Sequence, residues 1–486
     1  MSERLKNKTM NALSWSFIER LGQQGIQFFI AIILARLLAP AEFGLIAMLA
    51  IFMAVAQSFI DSGFGSALIQ NQDATHVDEC SIFYFNILVG VIAAGLLCLT
   101  APWIASFYNV PILVPLTRAL SLNLVINAFG LIQTTLLTKQ INFKAQFKVS
   151  LIATFFSGTI GIIMAYNGFG VWSLVAQSLS QNIFRSYLLW LFVSWRPSFI
   201  FSIQSLRKLF AFGSKLLFSG LLNTFFENIY LVVIGKLFSP ADLGFYSRAK
   251  GFQELPVQNI SSSVARVTYP VFSSIQDDKV RLKVGVQRAL TSMVILSFPL
   301  MIGLAVVAGP LVRLLLTDKW LPCVPYLQLL CAAGILYPLH VINLNVLMAQ
   351  GRSDLFLRLE VLKKVLVLIA IAITYRWGIS AIIIGQVFIS LVALYLNAYY
   401  TGKILDYPVS AQVKDVAPVM VISIIVGIAA YCVKLIHLQN DVFLLMIQIL
   451  FGAMVYIVLC RLARIPAFLE IIGMIKHKFQ SLTLLA

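Results

Sequence analysis

The sequence predicts an all-α polytopic membrane protein of about 14 transmembrane helices. They form two related six-helix lobes followed by two further helices. Three observations predict this. The first is composition. The chain has 486 residues, 60% hydrophobic and 11% charged, with a mean hydropathy of +0.91. A soluble domain carries about 25% charged residues. Apolar runs of roughly 20 residues or more recur along the chain, as membrane-crossing helices require. An outer-membrane barrel is excluded, because its strands alternate and last only ~10 residues.

The second observation is an internal repeat. Residues 33–45 read ILARLLAPAEFGL and residues 233–245 read VIGKLFSPADLGF. Leu37/Leu237, Pro40/Pro240, Ala41/Ala241 and Gly44/Gly244 are identical, and Arg36/Lys236, Glu42/Asp242 and Ile33/Val233 are conservative. Each copy stands where one apolar stretch ends and the next begins. Related halves are the usual construction of a transporter, whose bundles rock around a central site. The third observation is the distribution of Lys and Arg. With the N-terminus inside, Arg4, Lys6, Lys139, Lys144, Arg196, Arg207, Lys208, Lys279, Arg281, Arg352, Lys403 and Arg464 all fall on the cytoplasmic side. The other side holds little beyond Lys319, Arg376 and Lys434. That asymmetry predicts a multi-pass protein with both termini in the cytoplasm.

The apolar segments lie near 12–38, 43–69, 82–107, 112–137, 148–166, 170–194, 210–238, 244–272, 288–316, 322–349, 357–375, 378–401, 413–436 and 441–462. The opening stretch MSERLKNKTMN is polar and basic, and the run after it is too long for a signal-peptide core, so it is expected to be a retained helix. The eighth segment is polar for a span, and its pairing with the second through the repeat supports it. Six helices separate the two repeat copies. The count is even, so the halves are parallel and relate by an axis along the membrane normal. A weaker echo, GVWSLVAQ at 170–177 and GISAIIIGQ at 378–386, agrees. The division is an N-lobe over 1–194, a cytoplasmic connector over 195–209, a C-lobe over 210–402, and an appended helix pair with a tail over 403–486. The connector mixes apolar and basic residues, and fits either an amphipathic interfacial helix or a plain linker.

The net charge of +17 does not point to nucleic acid, since cytoplasmic loops of membrane proteins collect Lys and Arg. The six cysteines are scattered without a CxxC pair, and the four histidines are far apart. No metal site, disulfide framework or cofactor motif is expected.

Charged and polar side chains inside spans are costly and usually face a cavity or a partner. On the first segment Ser16, Glu19, Arg20, Gln23, Gln24 and Gln27 share one arc of about 140° at 100° per residue. The second segment has Gln57 and Asp61 one turn apart. The sixth has Gln177, Gln181 and Arg185 at i, i+4, i+8, and the seventh has Lys215, Ser219, Asn223 and Glu227 at the same spacing. The eighth carries Arg248, Lys250, Glu254 and Arg266, with Arg248 and Arg266 five turns apart on one face. Together these define a candidate substrate-binding cavity. Its cations (Arg20, Arg185, Lys215, Arg248, Lys250, Arg266) outnumber its anions (Glu19, Asp61, Glu227, Glu254), which suits an anionic cargo. The bland alternative is local pairing, as for Lys250 and Glu254 at i, i+4, or snorkelling at span ends. Pro256, Pro270, Pro299 and Pro338 interrupt segments eight to ten and predict kinks. In the Pro-x-acid-x-Gly turns at 40–44 and 240–244, proline stops one helix and glycine is expected to allow the reversal.

At this point the chain resembles a known family. ILARLLAPAEFGLIAM, followed by FIDSGFGSALIQ at 59–70, resembles bacterial polysaccharide exporters of the multidrug/oligosaccharidyl-lipid/polysaccharide superfamily. RVTYPVFSSIQDDKVRL (266–282), FPLMIGLAVVAGPLVRLLLTDKW (298–320) and VPYLQLLCAAGILYP (324–338) are similar to colanic acid exporters and lipopolysaccharide O-antigen flippases. The resemblance covers nearly the whole chain. It implies two six-helix lobes in a V around a central cavity. It also implies a polyprenyl-pyrophosphate-linked oligosaccharide as cargo, flipped from the cytoplasmic to the periplasmic face. A polysaccharide polymerase and a chain-length regulator become candidate partners beside the membrane lipid. The family supplies no strict residue signature, so the cavity residues rest on the pattern above.

Two other classes compete. A cation-coupled drug antiporter of the same superfamily would use acidic residues such as Asp61 and Glu227, but the positive excess argues against a cationic cargo. A membrane-embedded enzyme would need a sizeable outer loop bearing acid–base or nucleophilic groups. The outer loops are short, and neither a nucleophile–His pairing nor a Gly-rich phosphate loop occurs.

Overall fold

The computed structural model describes residues 22–61, 63–71, 73–436, 440–470 and 472–473, without the side chains at 208–213, 215, 216, 262 and 263. Among the described residues every regular element is helical. The chain divides into two compact units, residues 1–247 and 248–486.

In the first unit α1 (22–37) leads into α2 (Pro40–Asp61), α3 (Phe64–Gln70), α4 (His76–Tyr108), α5 (Leu113–Lys139), α6 (Phe143–Tyr166), α7 (Val171–Phe192) and α8 (Ile203–Leu237). The helix starts follow from local chemistry. Thr75 opens α4 with a capping box, its hydroxyl accepting from the Asp78 amide while the Asp78 carboxylate accepts from the Thr75 amide. Asn142 caps α6 and Ser202 caps α8 in the same sense. Neighbours pack mainly as α4 on α5, α6 on α7, α5 on α7 and α2 on α8.

In the second unit the rest of α9 (Pro240–Ser274) joins α10 (Lys279–Leu316), α11 (Cys323–Ala349), α12 (Ser353–Thr374), α13 (Ile379–Leu405), α14 (Val409–Cys432) and α15 (Asp441–Leu462). Its core gathers Phe272 of α9, Leu290 and Phe298 of α10, Ile342 of α11, Val419 and Ile422 of α14 and Cys460 of α15. The last two helices are therefore not an appendage. Gly427 lets α14 approach α10 so closely that a Cβ there would stand 2.5 Å from Ile302 Cγ2, and Tyr456 of α15 donates to the Ile295 carbonyl at 2.7 Å. In lipid, where apolar side chains gain little by leaving the solvent, close packing of this kind is what holds helices together.

Over their described residues the fourteen apolar segments become helices as expected, with three differences. The second does not run unbroken: α2 stops at Asp61, and Gly63, with φ of 70°, starts α3. Pro256 and Pro270 do not interrupt the eighth, nor Pro299 and Pro338 the ninth and tenth; α9, α10 and α11 run through them. Of the connector, residues 193–202 carry no regular structure and α8 begins at Ile203. Trp195 there donates to the Glu79 carboxylate at 2.8 Å, and the Ser202 amide donates to Ser81 Oγ at 2.9 Å, fixing the strand of chain to the start of α4.

Ten helical stretches among the described residues are long and apolar enough to cross a membrane. The described helices of 18 residues or more outside that set are the polar ones. α7 holds Gln177, Gln181, Asn182 and Arg185, α9 holds Arg248, Lys250, Glu254 and Arg266, and α12 holds Arg358, Glu360, Lys363 and Lys364. Side chains such as Leu99, Trp103, Phe388 and Leu450 stand exposed on the outside of the helices, the arrangement expected of a protein solvated by lipid.

Candidate functional site

The two copies of the repeat meet. Both lie in the first unit, and their backbones touch: a Cβ built on Gly44 would stand 1.7 Å from the Pro240 carbonyl oxygen, and one on Gly244 would stand 2.0 Å from that of Pro40. Neither glycine has a left-handed φ; each sits within the first turns of its helix. The sequence assigns them to tight reversals, and the structure corrects this. Only the absence of a side chain lets the two helix starts cross. Acidic caps hold each start in shape. Glu42 accepts from the Ala39 amide at 2.6 Å, and Asp242 accepts from Ser239 Oγ at the same distance.

From this contact α2 and α8 run side by side. Ser58 Oγ and Thr224 Oγ1 lie 3.2 Å apart across their seam. Beside it on α2, Gln57 Nε2 donates to Asp61 Oδ1 at 3.0 Å. Asp61 ends its helix, where the macrodipole disfavours a carboxylate, so it needs a cation. Arg185 of α7 is close enough to act on it electrostatically. Asn223 and Glu227 stand before and after Thr224 on the exposed side of α8. The structure thus brings Arg185 to Asp61, and it places Asn223 and Glu227 on the helix that meets α2 at Ser58. Gln23 and Gln27 lie on α1, half-buried and exposed respectively. Glu19, Arg20 and the side chain of Lys215 lie outside the described residues.

In the second unit Lys250 and Glu254 form an ion pair at 3.5 Å. Arg248 lies near Cys323 at the start of α11. Arg266 is exposed on the far part of α9. The two arginines share a face, yet eighteen residues separate them, about 27 Å along the helix. They cannot grip one pyrophosphate together.

Neutral groups that the charge pattern passes over also make polar contacts between helices. Asn123 of α5 donates to Ser178 Oγ at 2.9 Å, and Asn182 donates to Asn123 Oδ1 at 2.9 Å. Ser178 and Asn182 stand at i, i+4 in the sequence, one row from Gln181 and Arg185, which is the signal that would have found them. In the second unit Asn343 and Gln412 exchange amide hydrogen bonds at 3.0 and 3.2 Å, and His340 lies 3.1 Å from both Ser390 Oγ and Asn397 Nδ2. Among the described residues no group of acidic, His and Cys side chains is placed to hold a metal ion.

Comparison with known proteins follows the same lines. The family model described as "Polysaccharide biosynthesis protein" matches residues 33–325. The teichuronic acid biosynthesis protein TuaB of Bacillus subtilis (strain 168) is 30% identical over 388 residues, 78% of this chain and 79% of that protein. The lipopolysaccharide biosynthesis protein WzxC of Escherichia coli (strain K12) is 26% identical over 406 residues, 82% of each. Among solved structures, the lipid II flippase MurJ in an inward closed conformation superposes with a TM-score of 0.72 at 15% identity, over 93% of this chain and 98% of that one, which establishes a shared fold. With the family model matched over more than half the chain and a relative 30% identical across most of both proteins, this protein belongs to the polysaccharide biosynthesis protein family.

Proposed function

We propose that this protein is a flippase. It carries polyprenyl-pyrophosphate-linked oligosaccharide repeat units from the cytoplasmic to the periplasmic face of the inner membrane, for surface polysaccharide such as O-antigen, capsule or exopolysaccharide. The observation that carries the reading is the polar set of the first unit. Asp61, Arg185, Asn223 and Glu227 stand on helices whose other faces are apolar, and such residues inside spans mark a substrate path. Membership of the family supplies the class of cargo.

In this reading residues 1–194 and 210–402 are two lobes joined by 195–209, and they alternate around the polar faces. Residues 403–486 brace the second lobe. Both termini are cytoplasmic, which puts the turns at 38–44 and 238–244 outside. The cations, Arg185, Lys215, Arg248, Lys250 and Arg266 with Arg20, would meet the pyrophosphate in succession, while Glu19, Gln23, Gln27, Asp61, Asn223, Glu227 and Glu254 would position cations and sugars. A polysaccharide polymerase and a chain-length regulator would take the product. The positive excess disfavours the drug-antiporter alternative, since a cationic drug would be repelled.

Deletion of the gene tests the reading. The expected result is loss of surface polysaccharide with a complete lipid-linked repeat unit retained on the cytoplasmic leaflet. Unchanged lipid-linked pools and unchanged polysaccharide would refute it.

A further inference from the structure

The first unit has an apolar groove of about 660 Å³ between α2, α4 and α8. Phe59, Leu96, Trp103, Phe107, Phe225 and Val232 are among its walls. Thr100 brings a hydroxyl, whose proton is already donated to the Leu96 carbonyl at 2.8 Å. The groove accepts a hydrocarbon chain.

Three features define which chain. The first is length. The wall on α4 runs from Ala93 to Phe107, one residue short of the helix end. Those fourteen steps span about 21 Å, whereas one leaflet of the hydrocarbon core is about 15 Å deep. A phospholipid chain held in one leaflet would fill the groove only in part, and an isoprenoid that crosses the midplane would fill it. The second feature is charge. At the mouth Lys236 donates to the Phe107 carbonyl and lies 4.9 Å from the centre of the Phe107 ring. A cation there suits an anionic head. The third is continuity with the polar site. Phe59 and Phe225 flank Ser58 and Thr224, the hydrogen-bonded pair in the α2–α8 seam. Gln57 and Asp61 are each two positions from Phe59, and Asn223 and Glu227 each two from Phe225. At 100° per residue those polar groups point away from the groove, across the seam.

We propose that this groove holds the polyprenyl tail of the cargo, and that the α2–α8 seam is the door through which the tail stays joined to a head on the polar side. The proposal rests on the flippase reading. It requires the Ser58–Thr224 bond to part as the cargo passes, and Lys236 to meet the pyrophosphate at the outer mouth.

The test uses the full-length protein in proteoliposomes with a benzophenone-bearing polyprenyl pyrophosphate. After irradiation, labelled peptides are mapped by mass spectrometry. The expected label lies on α4 around Leu96–Trp103 and on α8 around Phe225. Excess unlabelled polyprenyl pyrophosphate removes it and excess phosphatidylglycerol does not. Filling the groove with Val55→Phe plus Ala93→Phe lowers the label and the export of polysaccharide several-fold at an unchanged level of protein in the membrane. Label confined to helices other than α2, α4 and α8, groove label that phosphatidylglycerol displaces equally well, or a filled groove with undiminished label would overturn the groove assignment and leave the flippase reading standing. No label anywhere on the protein would overturn both.

Discussion

Gly44 and Gly244 show how much one missing side chain can decide. Each backbone occupies the space a methyl group would need against the opposite proline carbonyl. Gly44→Ala must therefore push the two helix starts apart. Overpacking of this kind costs about 1–3 kcal/mol. The purified protein is expected to unfold at a lower temperature in detergent, and Gly244→Ala to behave alike; unchanged unfolding of both would mean that the contact is not a stabilising one. The second decisive residue is Asp61, a carboxylate at a helix C-terminus with Gln57 and Arg185 beside it. Arg185→Leu leaves that charge uncompensated. The double variant with Asp61→Leu should be less damaged than the sum of the two single variants, by about 1–3 kcal/mol of coupling. A thermodynamic cycle on the four proteins measures it, and strict additivity would show that the two groups act independently.

At the scale of elements, two devices hold the helices in register. One is the break between α2 and α3, which relies on the left-handed Gly63. A β-branched residue there is strained by about 1–3 kcal/mol, so Gly63→Val should destabilise the first unit or straighten the helix. Protease protection of the 61–71 segment would report which. The other is the buried amide pair of Asn343 and Gln412, which ties α11 to α14. Asn343→Leu leaves the buried Gln412 Oε1 without its donor, at about 1–3 kcal/mol, while Asn343→Leu with Gln412→Leu should recover part of the loss, as read from unfolding temperatures. The helices themselves are legible in the sequence, because twenty apolar residues in a row have few other fates in lipid. Their pairings are not. Asn343 and Gln412 are far apart in the chain, and each by itself looks like an ordinary polar residue inside a span.

For the whole molecule, α14 and α15 complete the core of the second unit through Val419, Ile422, Val426 and Cys460. A chain truncated after residue 408 should therefore fail to accumulate as a folded membrane protein, and not survive as a twelve-helix transporter. Its abundance in membranes beside the full-length chain decides this. The pattern of charge picks out polar residues on helices. It could not separate paired groups from available ones: Lys250 and Glu254 neutralise each other, and Arg248 and Arg266 are about 27 Å apart on one helix face.

By itself the sequence determined the class of the protein, its succession of apolar helices and its internal repeat. These depend on local hydrophobicity and on a motif that occurs twice, and neither needs the fold. It also carried the family, through the same motif. Only the tertiary structure decided that the two motifs touch, that glycine serves there for close approach, that the final helix pair belongs to a core, and that an apolar groove backs onto the polar faces of α2 and α8. Those facts join residues tens to hundreds of positions apart. Period and composition describe one helix at a time, so contacts between helices lie beyond their reach.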